Sequence, residues 1–241
     1  MAKKRIDTLM VERGLAESRA KAQALIMAGE VLVGGNPVIK SGTLIDESAE
    51  ITVRAPSPYV GRGGIKLAQA LDAFQVDVSG MVAADIGAST GGFTDCLLQR
   101  GAKKIYAIDV GYGQLDYRLR RDKRVVVMER TNARYPVSLP EKVDLATLDL
   151  SFISVTKVIP SAIGLLKGGG TLLVLIKPQF EARRVEVGKG GIIKDPQRHA
   201  RVLGRFISWA VTEKLRLRGL VASPILGSSG NREFFVRLNL T

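Results

Sequence analysis

The stretch DIGASTGGFTDCLL, residues 85–98, ends an apolar run in a cluster of small residues and then resumes helical spacing. Glycine is costly inside regular structure, so such a cluster marks a place where something approaches the main chain closely. Between a buried strand and a helix, that is where doubly wound sheets bind ligands. The order is Asp85, Gly87, Ser89, Gly91, Gly92, and Ser89 stands where a dinucleotide fingerprint needs its second glycine. Asp109 follows at the end of the next apolar run. A carboxylate there can accept hydrogen bonds from both hydroxyls of an adenosyl ribose. With Asp85 nearby and no spare donor for a pyrophosphate, the loop suits a cationic adenosyl cofactor, S-adenosylmethionine, better than NAD. Scarcity removes other chemistries. One histidine, His199, and one cysteine, Cys96, cannot build a structural zinc cluster and make a Cys/His nucleophile pair improbable. No metal is expected. His199 follows KDPQR at the head of a helix and reads as a surface or partly packed side chain, and Cys96 as a small core residue. The chemistry must run on carboxylates, lysines and a cofactor.

The elements that position these residues are visible in the hydropathy pattern. MVAADI (81–86), KIYAIDV (104–110), RVVVM (124–128), VDLATLDL (143–150) and TLLVLI (171–176) are short apolar runs separated by helical segments. That pattern predicts a parallel sheet covered on both faces. Residues 197–214 read as a further helix and REFFVRLNL, 232–240, as a final strand. Residues 1–56 differ: IDTLMVERG and SRAKAQALIMAGE have apolar residues at helical spacing, with Gly14 and Gly29 ending each helix and Ser18 capping the second. Short β-type pieces, VLV and ITV, follow around a GGNP turn. RAPSPYVGRGGIK, 54–66, has the composition of a linker. The expected organisation is a small α+β domain at 1–56, a linker at 57–63 and an α/β domain at 64–241.

The chain has 241 residues with 36 Lys+Arg against 23 Asp+Glu, a formal net charge of +13. That excess favours a polyanionic partner. Lys3, Lys4, Arg5, Arg13, Arg19 and Lys21 crowd the first two helices, a plausible phosphate-binding face, with Arg5, Arg19 and Lys40 as the candidate contacts. The opening MAKKRIDTLMVERG has no apolar core of a secretory signal, and no apolar stretch is long enough to span a bilayer. A soluble cytoplasmic protein without a membrane partner is expected, and a monomer. EARRVEVGKGGIIKD, 181–195, with Arg183, Arg184, Lys189 and Lys194 among glycines, reads as a mobile basic loop able to fold over a target.

DIGASTGGFTDCLL, DVGYGQL, ERTNAR, LDLSFIS, LIKPQFE, DPQRHAR and GSSGNREFF, in that order, resemble the TlyA family of ribosomal RNA 2′-O-ribose methyltransferases. The resemblance covers essentially the whole chain, and the basic N-terminal unit is similar to the small RNA-binding fold of ribosomal protein S-four. The implied fold is a Rossmann-like class I methyltransferase of the FtsJ-like class, α/β with a mixed, mostly parallel doubly wound sheet, plus the α+β RNA-binding domain. The implied reaction is methylation of cytidine ribose in ribosomal RNA, with the large subunit as first target and the small subunit as second. The implied cofactor is S-adenosylmethionine and the partner is ribosomal RNA or ribosomal subunits. The cofactor would lie among Asp85, Gly87, Ser89, Thr90, Gly91, Gly92, Phe93, Asp109, Val110, Asn132 and Asp149. RNA contacts would add Arg62, Arg134 and Lys189 to the N-terminal set. The sequence ends in RLNLT, and the resemblance implies a shorter form of the family without a C-terminal tail.

The FtsJ-like class works with a Lys-Asp-Lys-Glu tetrad, and the matching positions are Lys66, Asp149, Lys177 and Glu233. Asp149 and Lys177 each lie just past an apolar strand core, on the rim that carries the glycine loop. Glu233 reaches that rim if the last strand runs antiparallel, and Lys66 opens the helix after GRGG. A ribose hydroxyl must lose its proton as it attacks, so a base is required, and a lysine serves when burial and a second ammonium disfavour its charge. Lys177 is the candidate base, Lys66 the nearby cation, and Asp149 and Glu233 orient the two. Two other readings remain: a membrane-active protein, since relatives carry a haemolysin label, and an assembly factor that binds RNA with a dead site.

Overall fold

A computed structural model describes residues 3–27, 29–53, 58–227 and 229–240, apart from the side chain of Lys189. The start of the expected linker, through residue 57, lies outside the described residues. The chain divides into two compact units, 1–57 and 58–241.

In the first unit β1 (Lys3–Arg5) leads directly into α1 (Ile6–Glu12), followed by α2 (Arg19–Met27), β2 (Val31–Val33), β3 (Asn36–Pro37), β4 (Leu44–Asp46) and β5 (Ile51–Val53). β1 pairs antiparallel with β4, and β2 lies between β3 and β5. Ile6, Met10, Ala22, Ile26 and Val31 are fully buried and form its core. The helices follow the predicted spacing. β1 was not predicted, because KKR carries no apolar signal and is held in extended form by its partner.

The second unit contains α3 (Arg62–Ala73), β6 (Val82–Ile86), α4 (Gly92–Gln99), β7 (Lys104–Ile108), α5 (Tyr117–Arg121), β8 (Val125–Met128) and β9 (Val143–Leu148). It continues with α6 (Ile159–Ile163), β10 (Leu166–Ile176), α7 (Pro178–Glu181), α8 (Pro196–Thr212), β11 (Leu215–Ala222) and β12 (Phe234–Leu240). The seven strands run in the order β11-β12-β10-β9-β6-β7-β8. β8 through β10 are mutually parallel, whereas β12 is antiparallel to both β10 and β11. This is the mixed, mostly parallel sheet the sequence predicts. Alternation splits the strand residues between two cores. Ile86, Ile108, Leu148 and Val174 meet Ile159 of α6 and Phe206 of α8, while Ala83, Ile105, Leu145 and Leu173 meet Leu67 of α3 and Leu97 of α4.

Three expectations need correction. α3 begins at Arg62, so the last two residues of the expected linker are helical. The helix expected through residue 214 stops at Thr212, Lys214 takes a positive φ of 59°, and an unpredicted edge strand, β11, follows. His199 is buried at 7% exposure, not on the surface. It lies with Val202, Leu203, Phe206 and Ala210 on the inner face of α8, its Nε2 2.9 Å from the Ile193 carbonyl and its ring edge-on to Phe234.

Candidate active site

The glycine loop begins where β6 ends. Gly87 has φ +87°, and a Cβ there would overlap the carbonyl oxygen of Asp149, so only glycine lets the ends of β6 and β9 come this close. Asp109, just past β7, ties the glycine loop to the turn that follows β7, using both oxygens. Its Oδ2 accepts from the Ser89 N–H at 2.8 Å and its Oδ1 from the Gly111 N–H at 2.6 Å.

Above these strand ends lies a cavity of about 520 Å³. Gly87, Ser89, Asp109, Val110, Asn132, Arg134 and Asp149 line it together with apolar Ile86, Ile108, Leu150, Ile153 and Val158. A smaller cavity of about 120 Å³ is lined by Gly63, Gly87, Ser89, Thr90, Gly92, Phe93 and Asp149. Gly91 lies beneath the side chains of Leu115 and Leu119. Like Gly91, Asp85 is a predicted cofactor residue that lines neither cavity. It is fully buried, accepting from Thr94 Oγ1 at 2.7 Å and Thr147 Oγ1 at 3.1 Å, and burial pushes its carboxyl up to about 6. It props the loop from below. Gln114, Thr131 and Phe152 also line the larger cavity and were not singled out from the sequence, although DVGYGQL, ERTNAR and LDLSFIS contain them.

The four tetrad positions form two ion pairs. Lys177 Nζ lies 2.6 Å from Asp149 Oδ1 and donates to Ser151 Oγ at 3.1 Å. Lys66 Nζ donates to Glu233 Oε2 at 2.6 Å, with those side chains only 10% and 3% exposed. A Cβ on Gly63, in the first turn of α3, would stand 3.9 Å from Asp149 Oδ2, so the helix that carries Lys66 abuts the first pair. The pairing of Ile176 with Phe234 places Lys177 and Glu233 just beyond the same end of the sheet. Gly227 is packed against Glu233, and a Cβ there would have to displace Glu233 Oε1.

The predicted RNA-binding residues fall into three groups. Arg5 clamps Asp7 through Nε and Nη2 at 3.0 and 2.8 Å, and Arg19 Nε joins at 2.9 Å. Asp7 is fully buried, and its carboxyl is held far below the usual range, by Arg5 above all, while the two arginine side chains stay 44% and 57% exposed. Lys40 is exposed on the same unit. In the second unit Arg134 is exposed at the larger cavity, and Arg62 donates to the Leu226 carbonyl at 2.7 Å. The side chain of Lys189 lies outside the described residues. The loop predicted to be mobile is tied down at several points. Glu186 accepts two bonds from Arg205, at 3.0 and 2.7 Å, and the amide of buried Asn231 bridges the Ile193 N–H and the Gly191 carbonyl.

Among the described residues no cluster of His, Cys, Asp and Glu could hold a metal ion, and no helix is long and apolar enough to cross a membrane. Residues 59–240 match the FtsJ-like methyltransferase family, and residues 4–51 match the S4 domain. The chain is 51% identical over 244 residues to a Bacillus subtilis (strain 168) protein, YqxC, that carries an rRNA methyltransferase name, covering 98% of this chain and 86% of that one. It is 45% identical over 238 residues to the 16S/23S rRNA (cytidine-2'-O)-methyltransferase TlyA of Mycobacterium tuberculosis (strain ATCC 25618 / H37Rv), covering 97% and 89%. A solved structure from Streptococcus thermophilus that carries a hemolysin name superposes with a TM-score of 0.78 at 42% identity, covering 100% of this chain and 90% of that one.

Proposed function

Because the chain belongs to the FtsJ-like methyltransferase family, we propose that it methylates the 2′-hydroxyl of a cytidine in ribosomal RNA with S-adenosylmethionine as donor. The reading is supported by the name of the M. tuberculosis relative and by the S4 match at residues 4–51. The observation that carries it is the pair of ion pairs, Lys177–Asp149 and Lys66–Glu233, beside the cavity over the glycine loop. Large-subunit RNA is the first substrate to test and small-subunit RNA the second.

The cavity fits the proposed cofactor. Its volume of about 520 Å³ lies within the roughly 300–1,000 Å³ usual for small-molecule sites. Ile108, Leu150, Ile153 and Val158 offer apolar walls to a base, and Asp109 offers a carboxylate to ribose hydroxyls. Asp149 contributes a second carboxylate, which favours a cationic ligand. When bound, S-adenosylmethionine supplies an electrophilic methyl group on a sulfonium. Lys177 takes the proton of the attacking 2′-hydroxyl, and Asp149 holds Nζ in place and stabilises the ammonium that forms. Lys66, locked by Glu233, is the second cation of the site. Most of the acceleration comes from in-line positioning. Arg5, Arg19 and Lys40, with Arg62, Arg134 and Lys189, contact phosphates, which fixes register without reading sequence.

The test is transfer of a tritiated methyl group to purified ribosomal subunits, with the modified nucleotide mapped. Lys177→Ala is expected to lose about 10²- to 10⁴-fold in rate, the usual worth of a general base, with S-adenosylmethionine binding near wild type. Lys177→Arg should not rescue, since a guanidinium keeps its proton at working pH. An Arg variant at the wild-type rate would reduce Lys177 to a positioning cation. Absence of transfer from the wild type to either subunit would remove the proposed function.

A further inference from the structure

The proposed reaction makes no use of DYRLRRDKR, residues 116–124, which comprises α5 and the turn after it. Five basic residues stand there against two acidic ones. Tyr117, Arg118, Arg121, Lys123 and Arg124 are exposed, whereas Leu119 points into the core. Arg118 pairs with Asp116 at 3.2 Å and Arg124 with Asp122 at 2.7 Å. Arg121 has no carboxylate partner among the described residues. Its guanidinium lies 5.4 Å from the centre of the Tyr117 ring and donates to the Tyr117 hydroxyl at 3.1 Å. Lys123 likewise has no ion-pair partner among the described residues.

This basic surface is fixed to the glycine loop. The side chains of Leu115 and Leu119 occupy the space that any side chain on Gly91 would need, and the Asp116 N–H donates to the Thr90 carbonyl at 3.1 Å. Glu129 braces the segment by accepting from Arg120 and, at 2.8 Å, from the Gly113 N–H. Gln114, just ahead of α5, lines the larger cavity. The surface therefore has a set distance from that cavity. An arginine stacked on a tyrosine keeps a planar, weakly hydrated cation with its remaining N–H groups turned outward, which suits phosphate oxygens. An exposed tyrosine ring, 68% exposed at Tyr117, offers a stacking face to an unpaired base.

We propose that residues 116–124 form an RNA-docking surface on the methyltransferase unit, gripping the backbone of a looped or single-stranded segment next to the cavity. The proposal rests on ribosomal RNA being the substrate. Its test is the triple variant Arg118→Ala/Arg121→Ala/Lys123→Ala in the full chain, with binding to purified ribosomal subunits measured over a salt series. Each phosphate contact contributes about 0.7 to 0.9 to the slope of log K against log salt, so the slope should fall by roughly 2 to 3. Affinity should drop about 10- to 100-fold near physiological salt by the same relation, with KM for subunits rising in step. S-adenosylmethionine affinity, read by calorimetry, should not change. Unchanged salt slope and KM would overturn the proposal. So would a parallel loss of cofactor affinity, which would mean that α5 only shapes the glycine loop. Loss of binding to phosphatidylglycerol vesicles with subunit binding intact would assign the surface to a membrane and overturn it as well. A wild type that binds subunits through this surface but transfers no methyl group leaves the docking surface standing and removes the proposed activity.

Discussion

Replacing Asp109 by Asn preserves the shape of the side chain but turns one oxygen into an amide nitrogen. Both oxygens are in use, Oδ2 by the Ser89 N–H at 2.8 Å and Oδ1 by the Gly111 N–H at 2.6 Å. An amide has one acceptor oxygen, so one of these backbone donors must then face an NH₂ group. A hydrogen bond to a charged acceptor is worth roughly 1.5 to 3 kcal/mol, and any ribose hydroxyl that donates to this carboxylate loses a charged acceptor too. At about 1.4 kcal/mol per factor of ten, one such loss raises the Kd for S-adenosylmethionine about 10- to 150-fold. Titration calorimetry of both proteins measures it, with circular dichroism to show that the variant is folded. An Asn variant that binds within about threefold of wild type would refute the assignment of Asp109 to the cofactor ribose. Tight binding of NAD to the wild type, without S-adenosylmethionine binding, would remove the cofactor reading itself.

Gly91→Ala should destabilise the second unit by about 2 to 4 kcal/mol, because φ is +97° and a Cβ collides with Leu119. Chemical denaturation reads it, and an unchanged midpoint would show that α5 can move aside. Asp85 holds a proton in the folded state up to about pH 6, against an ordinary value of 3.8, because it is buried. Its contribution to stability therefore falls as pH rises between those values, by about 3 kcal/mol in all, and the melting temperature of Asp85→Asn relative to wild type should rise from pH 4 to about 6 and level off above it. A gap that stays constant with pH would contradict this. Arg5→Ala/Arg19→Ala should weaken RNA binding and flatten its salt dependence by about two phosphate contacts, with cofactor affinity intact. Subunit binding unaffected by that double change would mean the N-terminal unit is not the anchor.

The strands that were legible in the sequence are those buried on both faces. β6 and the last six residues of β10 read as continuous apolar runs, and a continuous run is what a covered parallel sheet requires. The first residues of β10, LKGGG, carry no such signal: only Leu166 among them pairs with β9, opposite Val143, and the register shifts before Thr171. β11 was overlooked because its arginines alternate on an exposed edge face and follow a helix of similar composition. The glycine loop was legible for a local reason: Gly87 and Gly91 adopt positive φ against packed neighbours, which other residues rarely tolerate. The direction of the Asp85 carboxylate is not legible, for an equally local reason. A strand-end carboxylate can face the ligand or the sheet interior, and only Thr94 on α4 and Thr147 on β9 show which. Lys66 and Glu233 stand 167 residues apart, and no spacing rule joins them. Their meeting depends on strand direction. β12 runs against β10, so Ile176, the last residue of one, pairs with Phe234, the first of the other, and the residues just outside that pair, Lys177 and Glu233, emerge on one rim. A parallel β12 would have brought Leu240 to that rim and left Glu233 at the opposite edge of the sheet, with Lys66 buried and unpaired. The second ion pair is thus a product of topology, which is why it could be reached from the sequence only through resemblance, whereas the glycine loop could be reached from its own residues.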